Sequence, residues 1–200
     1  MKGSLIILSF FGIGLLGGYF DLFPNWLLND DLTTYALYVL MLLVGISIGS
    51  DKGAFSVLRK MNFKVVLVPL TVIFGSLAGT AVVALFLNDI TIQQAMAVGS
   101  GFGYYSLSSI FISKISGQEL GVIALLSNIF REIFTLLAVP LLVRFFGKLA
   151  GIASGGATSM DTTLPVIVKF TGKDYGIIAI FSGIILTVLV PVLVTLILEF

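Results

Sequence analysis

Unbroken apolar stretches of about the length that crosses a bilayer as a helix recur along this chain, and they fix its solvent before any motif is considered. They run over 5–20, 33–48 and 65–87, and the segments between them collect charges and turn residues. Of 200 residues, 58% are hydrophobic and only 10% charged, against roughly 25% charged in soluble domains. So few charges cannot cover a wet surface of that size, whereas lipid needs no such cover. A soluble domain is excluded. Because only helices and closed barrels satisfy their own backbone in hydrocarbon, runs of this length imply an all-α polytopic membrane protein.

A formal net charge of +1 without a long basic run leaves no footprint for nucleic acid or for a polybasic lipid contact. With no cysteine and no histidine, thiol chemistry, disulfides, Cys/His metal sites and histidine proton shuttles are excluded. Proton handling falls to Asp, Glu, Lys or Tyr, and neither a cofactor nor a metal is expected. The 5–20 run lacks a small-residue cleavage site and is followed by further spans, so it reads as a first transmembrane helix.

Charge sets orientation. The loop 21–31, with Pro24, Asn25 and Trp26, carries acids and no Lys or Arg, whereas 50–64 carries Lys52, Arg59, Lys60 and Lys64. By the positive-inside bias the second loop is cytoplasmic and the first outside, which starts Met1 and Lys2 inside and places Tyr19 and Trp26 in an interfacial belt. The chain reads as one transmembrane domain over 1–200, with a three-helix portion over 1–90 and a core over 91–200.

Within that core two membrane-suitable segments are interrupted. The segment 95–113 contains Gly99, Ser100, Gly101, Phe102, Gly103, Tyr104, Tyr105 and Ser106; the segment 151–170 contains Gly155, Gly156, Thr158, Ser159, Asp161, Thr162 and Pro165. Between them lies a long helix over 120–146 bearing Asn128, Arg131 and Glu132, and a final span covers 176–198 with Pro191 inside it. About seven segments result, two of them discontinuous, and seven crossings from an inside start leave the C-terminus outside. Lys114, Lys169 and Lys173 agree with that count; Arg144 and Lys148 oppose it. Re-entry of either broken segment would reverse the orientation of every later span.

Broken helices at bilayer depth are tolerated only where protein or a water-filled cavity satisfies the freed backbone, and half-helix ends present partial charges to a small ligand. Small-residue clusters also serve plain helix packing. Two clusters, one holding Asp161 with Pro165 four residues on, favour a binding site, with Gly99, Gly101, Gly103, Gly155, Gly156 and Pro165 making the breaks. Ser100, Tyr104, Tyr105, Ser106, Thr158, Ser159 and Thr162 would line it, the tyrosine faces being suited to a cation or to packing.

Arg131, Glu132 and Asp161 are the charges deep inside spans, and intramembrane ionisable groups usually serve function. Asn128, Glu132 and Thr135 fall at i, i+4 and i+7 on one helical stripe, with Arg131 at its edge. A buried Arg131–Asp161 pair that locks helices, with Glu132 facing a crevice, is the structural alternative. In the functional reading the two acids bind a cationic substrate or protons, and a proton taken up by an uncompensated buried acid leaves when the cation binds. Enzyme chemistry finds no support: an aspartyl dyad needs a second deep aspartate, and no base is placed to activate a serine.

The strings AMAVGSGFGYYSLSSI (95–110), NIFREI (128–133) and GGATSMDTTLPVI (155–167), with LLVGISIG (42–49), resemble the signatures of the bacterial lysine exporter family LysO. The resemblance implies an inner-membrane protein that exports L-lysine and its analogue thialysine, with Glu132 and Asp161 as essential acids and Asn128 and Arg131 in the same motif. Longer single-chain members carry about three further N-terminal helices, so the resemblance covers their C-terminal two thirds. It implies an inverted-repeat fold completed by a small three-helix membrane partner or by a homodimer. A sodium/proton exchanger and a holin-like pore or assembly subunit are the competing readings.

Overall fold

The computed structural model describes residues 9, 13–14, 16–20, 22–24, 35, 39, 42, 46 and 63–199. The chain divides into two units, Met1–Ser50 and Asp51–Phe200. The expected spans over 5–20 and 33–48, the loop around Trp26 and the basic cluster Lys52, Arg59 and Lys60 lie largely outside the described residues. Those described at 13–14, 16–19, 35, 39, 42 and 46 are helical, and Tyr19 is exposed.

In the second unit a 3-10 turn, Phe63–Val66, leads into α1 (Leu67–Ala84), followed by α2 (Ile92–Gly99), α3 (Tyr105–Ser116), α4 (Gln118–Phe146) and α5 (Lys148–Gly155). A second 3-10 turn, Gly156–Met160, then precedes α6 (Leu164–Thr171) and α7 (Lys173–Glu199). Among the described residues α1, α4 and α7 are long and apolar enough to cross a membrane. Their apolar residues serve two solvents. On α7, Gly183, Thr187, Val190 and Val194 are buried at helical spacing while Val188, Val192 and Leu196 are exposed, as expected of a helix with protein on one face and lipid on the other.

Both interrupted segments fold back on themselves. A pocket at one end of the unit is lined by Asp89 and Gln94, from the start of the α2–α3 segment, together with Ser116 and Glu119 from its end. Gln93 at the start of α2 also donates to the Ile197 carbonyl at the end of α7. At the opposite end the Lys148 ammonium lies over the Tyr175 ring at 5.1 Å, and Val168 on α6 packs against Gly176 on α7, so α5 begins and α6 ends beside the start of α7. Each segment is therefore a helical hairpin inserted from its own side. The inner helices α2 and α5 have 8 residues each, about 12 Å, which carries the tips near the middle of a bilayer about 30 Å thick.

This corrects the crossing count for the described part of the chain. Of the segments expected as crossings after residue 64, α1, α4 and α7 run through the unit, while α2–α3 and α5–α6 re-enter. Two re-entries leave the exit side of α7 unchanged. They also change the conflict among the basic residues: Arg144 and Lys148 now share one end with Lys169 and Lys173, while Lys114 lies towards the other, with Asp89 and Glu119. Beside the basic end, Val68, Val139, Ile152, Ile167 and Ala179 form a buried apolar cluster that binds α1, α4, α5, α6 and α7 together.

Candidate functional site

The hairpin tips meet at one backbone hydrogen bond, from the Ala157 N–H to the Phe102 carbonyl at 2.8 Å. Phe102 is wholly buried with φ +48, and Gly103 follows at φ +93. Two consecutive left-handed residues turn the chain at the first tip, and only the second is of a type that adopts them without strain. At the second tip Gly156 has φ +60, and a Cβ there would strike the Phe102 carbonyl oxygen. The contact between the tips needs this glycine for both reasons.

A helix ending inside lipid leaves its last four carbonyls without intrahelical donors, and water cannot supply them. In α2 all four are satisfied. Met96 and Ala97 accept from the Ser100 N–H and Oγ, Val98 from the Asn128 Nδ2, and Gly99 from the Phe102 N–H. In α5 the same holds by different means: Ile152 accepts from the Gly156 N–H, Gly155 from the Thr158 Oγ1, and Ala153 and Ser154 from the Arg131 Nη2 and Nε, each at 3.0 Å. Thus α4 closes one half-helix with an amide and the other, a turn later, with a guanidinium.

Asn128 does more than this. Its Oδ1 accepts the Gly103 N–H at 2.7 Å, so a single side chain spans the first break, and its Nδ2 also reaches the Ala124 carbonyl of its own helix. Arg131 reaches a third element, donating from Nη1 to Ser76 Oγ on α1 at 3.0 Å. Thr135, one turn further along α4, meets Ser154 Oγ at 2.7 Å. The stripe read from sequence spacing therefore faces both tips, and Glu132 on it is fully buried.

Asp161 lies at the second tip just before α6, exposed, with Oδ1 accepting from the N–H and hydroxyl of Thr162. Its carboxylate is within electrostatic range of Glu132 and of the Tyr104 hydroxyl, so the two acids and the tip of the first hairpin share one region. Tyr104 is half-buried, whereas Tyr105 is buried. Arg131 and Asp161 do not form the pair weighed as the structural alternative: the Arg131 guanidinium donates to the α5 carbonyls and to Ser76.

The hydroxyls expected to line a cavity divide into two groups. Ser100, Thr158 and Ser159 are buried and bonded to backbone carbonyls at the breaks, Ser159 also being placed 2.9 Å from the Ala179 carbonyl on α7. Thr162, Ser106 and Tyr104 are less enclosed. Gly99, Gly101 and Gly155 give close approach to Thr80, Asn128 and Thr163 respectively, and Pro165 stands in the first turn of α6, where its missing N–H costs nothing. A cavity of about 210 Å³ runs between α1, α2 and α4 from Leu87 and Ile90 to Asn128 and Arg131.

Sequence spacing missed Phe102, Ala157, Ser76 and Gly183. Phe102 had a signal, a bulky residue set between two glycines. Ala157 and Ser76 contribute a backbone N–H and a distant hydroxyl, which carry no pattern. Gly183 admits the second tip onto α7, since a Cβ there would lie 2.7 Å from Met160 Cβ and 2.8 Å from the Ala157 carbonyl.

A membrane protein in which two interrupted hairpins from opposite sides meet beside a buried acid has the construction of a transporter. The chain belongs to the lysine exporter LysO family, whose model matches residues 8–198, and that family is one of exporters, not of enzymes. The lysine exporter LysO of Escherichia coli is 36% identical over 160 residues, 80% of this chain and 52% of that protein, so the chain spans about half its length. A putative lysine exporter of Haemophilus influenzae is 33% identical over 188 residues, 94% of each chain. No solved structure matches the chain.

Proposed function

We propose that this chain exports L-lysine, and cationic analogues such as thialysine, across the bacterial inner membrane in exchange for protons. The observation that carries the reading is the pairing at the hairpin tips: Asp161 within electrostatic range of the fully buried Glu132. Lysine brings two ammonium groups and one carboxylate. The two acids complement the ammonium groups, and the N-terminal ends of α3 and α6, which carry partial positive charge, complement the carboxylate. In this reading a proton carried by the acids leaves when a substrate ammonium binds and is taken up again when it departs. That exchange couples lysine exit to proton entry.

Charge also sets the orientation. Arg144, Lys148, Lys169 and Lys173 outnumber Lys114 towards the opposite end, which favours a cytoplasmic mouth for the second hairpin and an outside mouth for the first, with α7 ending there. Proteoliposomes loaded with lysine test the function. Saturable efflux, driven by an imposed proton gradient and competed by thialysine but not by sodium, is expected, and Asp161→Asn and Glu132→Gln are each expected to reduce it to the level of empty vesicles. Competition by sodium would favour cation exchange, and unselective leakage a pore; full activity of both amide variants would remove the acids from the mechanism.

A further inference from the structure

We infer that Arg131 is a positioning residue that clamps the second hairpin tip to α4 and α1, and that the substrate carboxylate is bound elsewhere. Of the two tests, only the transport comparison rests on the lysine-export reading. The Nε and Nη2 donors form the edge of a guanidinium that grips a carboxylate bidentately. Here that edge holds the Ser154 and Ala153 carbonyls, and Nη1 holds Ser76 Oγ. A substrate carboxylate could take the edge only by stripping two carbonyls from a helix end that has no water to replace the donors.

The placement is also electrostatically favourable. The C-terminal end of α5 carries partial negative charge, and Arg131 stands as its counter-ion in the position a bound cation would otherwise occupy. Nη2 packs beneath the turn itself: a Cβ on Gly156 would lie 3.2 Å from it. Through one side chain, α1, α4 and α5 fix where the Gly156–Met160 turn meets Phe102, and thereby where Asp161 stands. Asn128 performs the same office for the first hairpin with a neutral amide.

Two measurements test this. In proteoliposomes, transport of lysine is compared with that of 1,5-diaminopentane, which is lysine without its carboxylate. Arg131→Lys keeps the charge but loses the fork, so turnover of lysine is expected to fall on the order of 10²-fold, with KM changed by less than about threefold and the preference between the two substrates unaltered. Selective loss of lysine transport with 1,5-diaminopentane transport kept would overturn the inference, because Arg131 would then hold the carboxylate. The second measurement needs no transport. The chain has no cysteine, and Ala157 is 1% exposed, so Ala157→Cys reports whether the tip is seated. Reaction of this cysteine with a small thiol reagent is expected to quicken about tenfold with Arg131→Lys or Arg131→Ala, and less with Ser76→Ala, which removes one bond of three. Equal labelling rates in all backgrounds would overturn the clamp. If Arg131→Ala does not accumulate in the membrane, the other two variants carry the same comparison. A parent chain that moves no lysine would remove the export reading and leave the labelling result to decide.

Discussion

The two hairpins solve the same problem with opposite electrostatics. Each begins with an eight-residue helix that ends at a glycine, and each has its four terminal carbonyls satisfied by protein groups. The first tip contains no charge and is closed by Asn128; the second holds Asp161 and is closed by Arg131. A cation closing the second helix end offsets the charge of that end, not that of Asp161, which stays available beside Glu132. The difference teaches a division of labour. The first hairpin supplies shape and a landing point at Phe102, and the second carries the charge, which under the proposed function a cationic cargo would meet.

The largest effect expected of a single glycine change lies where the tips touch. Gly156→Ala introduces both a strained φ and a collision with the Phe102 carbonyl, and a loss of about 3 kcal/mol or more is expected, read as failure of the protein to resist thermal denaturation in detergent. Gly103→Ala has the same backbone strain, but its Cβ would stand 3.1 Å from the Gly155 carbonyl, so a smaller loss is expected. The reverse order would break the comparison of the two tips.

Next in size is Asn128→Ala, which leaves the Gly103 N–H without its acceptor where water is scarce and leaves the Val98 carbonyl with the Gly101 N–H alone. A cost of about 1–3 kcal/mol per buried group is the scale. Asn128→Asp sharpens the test, since it keeps the acceptor for Gly103 and loses the donor to Val98; stability between parent and Ala variant is expected. The smallest pair is Ser100→Ala and Thr158→Val. Each removes one hydroxyl donor to the final turn of its half-helix, and losses of about 1 kcal/mol, equal within error, are expected from chemical denaturation. A much larger loss at Thr158 would show that it does more than close α5.

The long helices were legible in the sequence because unbroken apolar runs stop at glycines. The span read as 120–146 is Gln118–Phe146, and that read as 176–198 is Lys173–Glu199. Gly117, Gly147 and Gly172 end helices with φ near +90, a conformation for which glycine is the default residue. The breaks were legible for the same reason. Their direction was not, since crossing and folding back differ in the backbone dihedrals of a few tip residues, among them Phe102, Gly103, Tyr104, Gly156 and Asp161. The targets of Arg131 also lay beyond sequence reasoning, because backbone carbonyls of another segment leave no mark in composition. Tyr104 and Tyr105 differ in burial although adjacent, because Tyr104 stands at the tip just before α3 and Tyr105 is its first residue.

The central structural claim is that both broken segments re-enter from opposite sides, and single cysteines in this cysteine-free chain test it directly. Asp89→Cys and Glu119→Cys flank the first hairpin; Lys148→Cys and Lys173→Cys flank the second. With a membrane-impermeant thiol reagent, the first pair is expected to label together from one side of sealed vesicles and the second pair together from the other. Members of either pair labelling from opposite sides would mean that the segment between them crosses the bilayer, which would contradict the fold described.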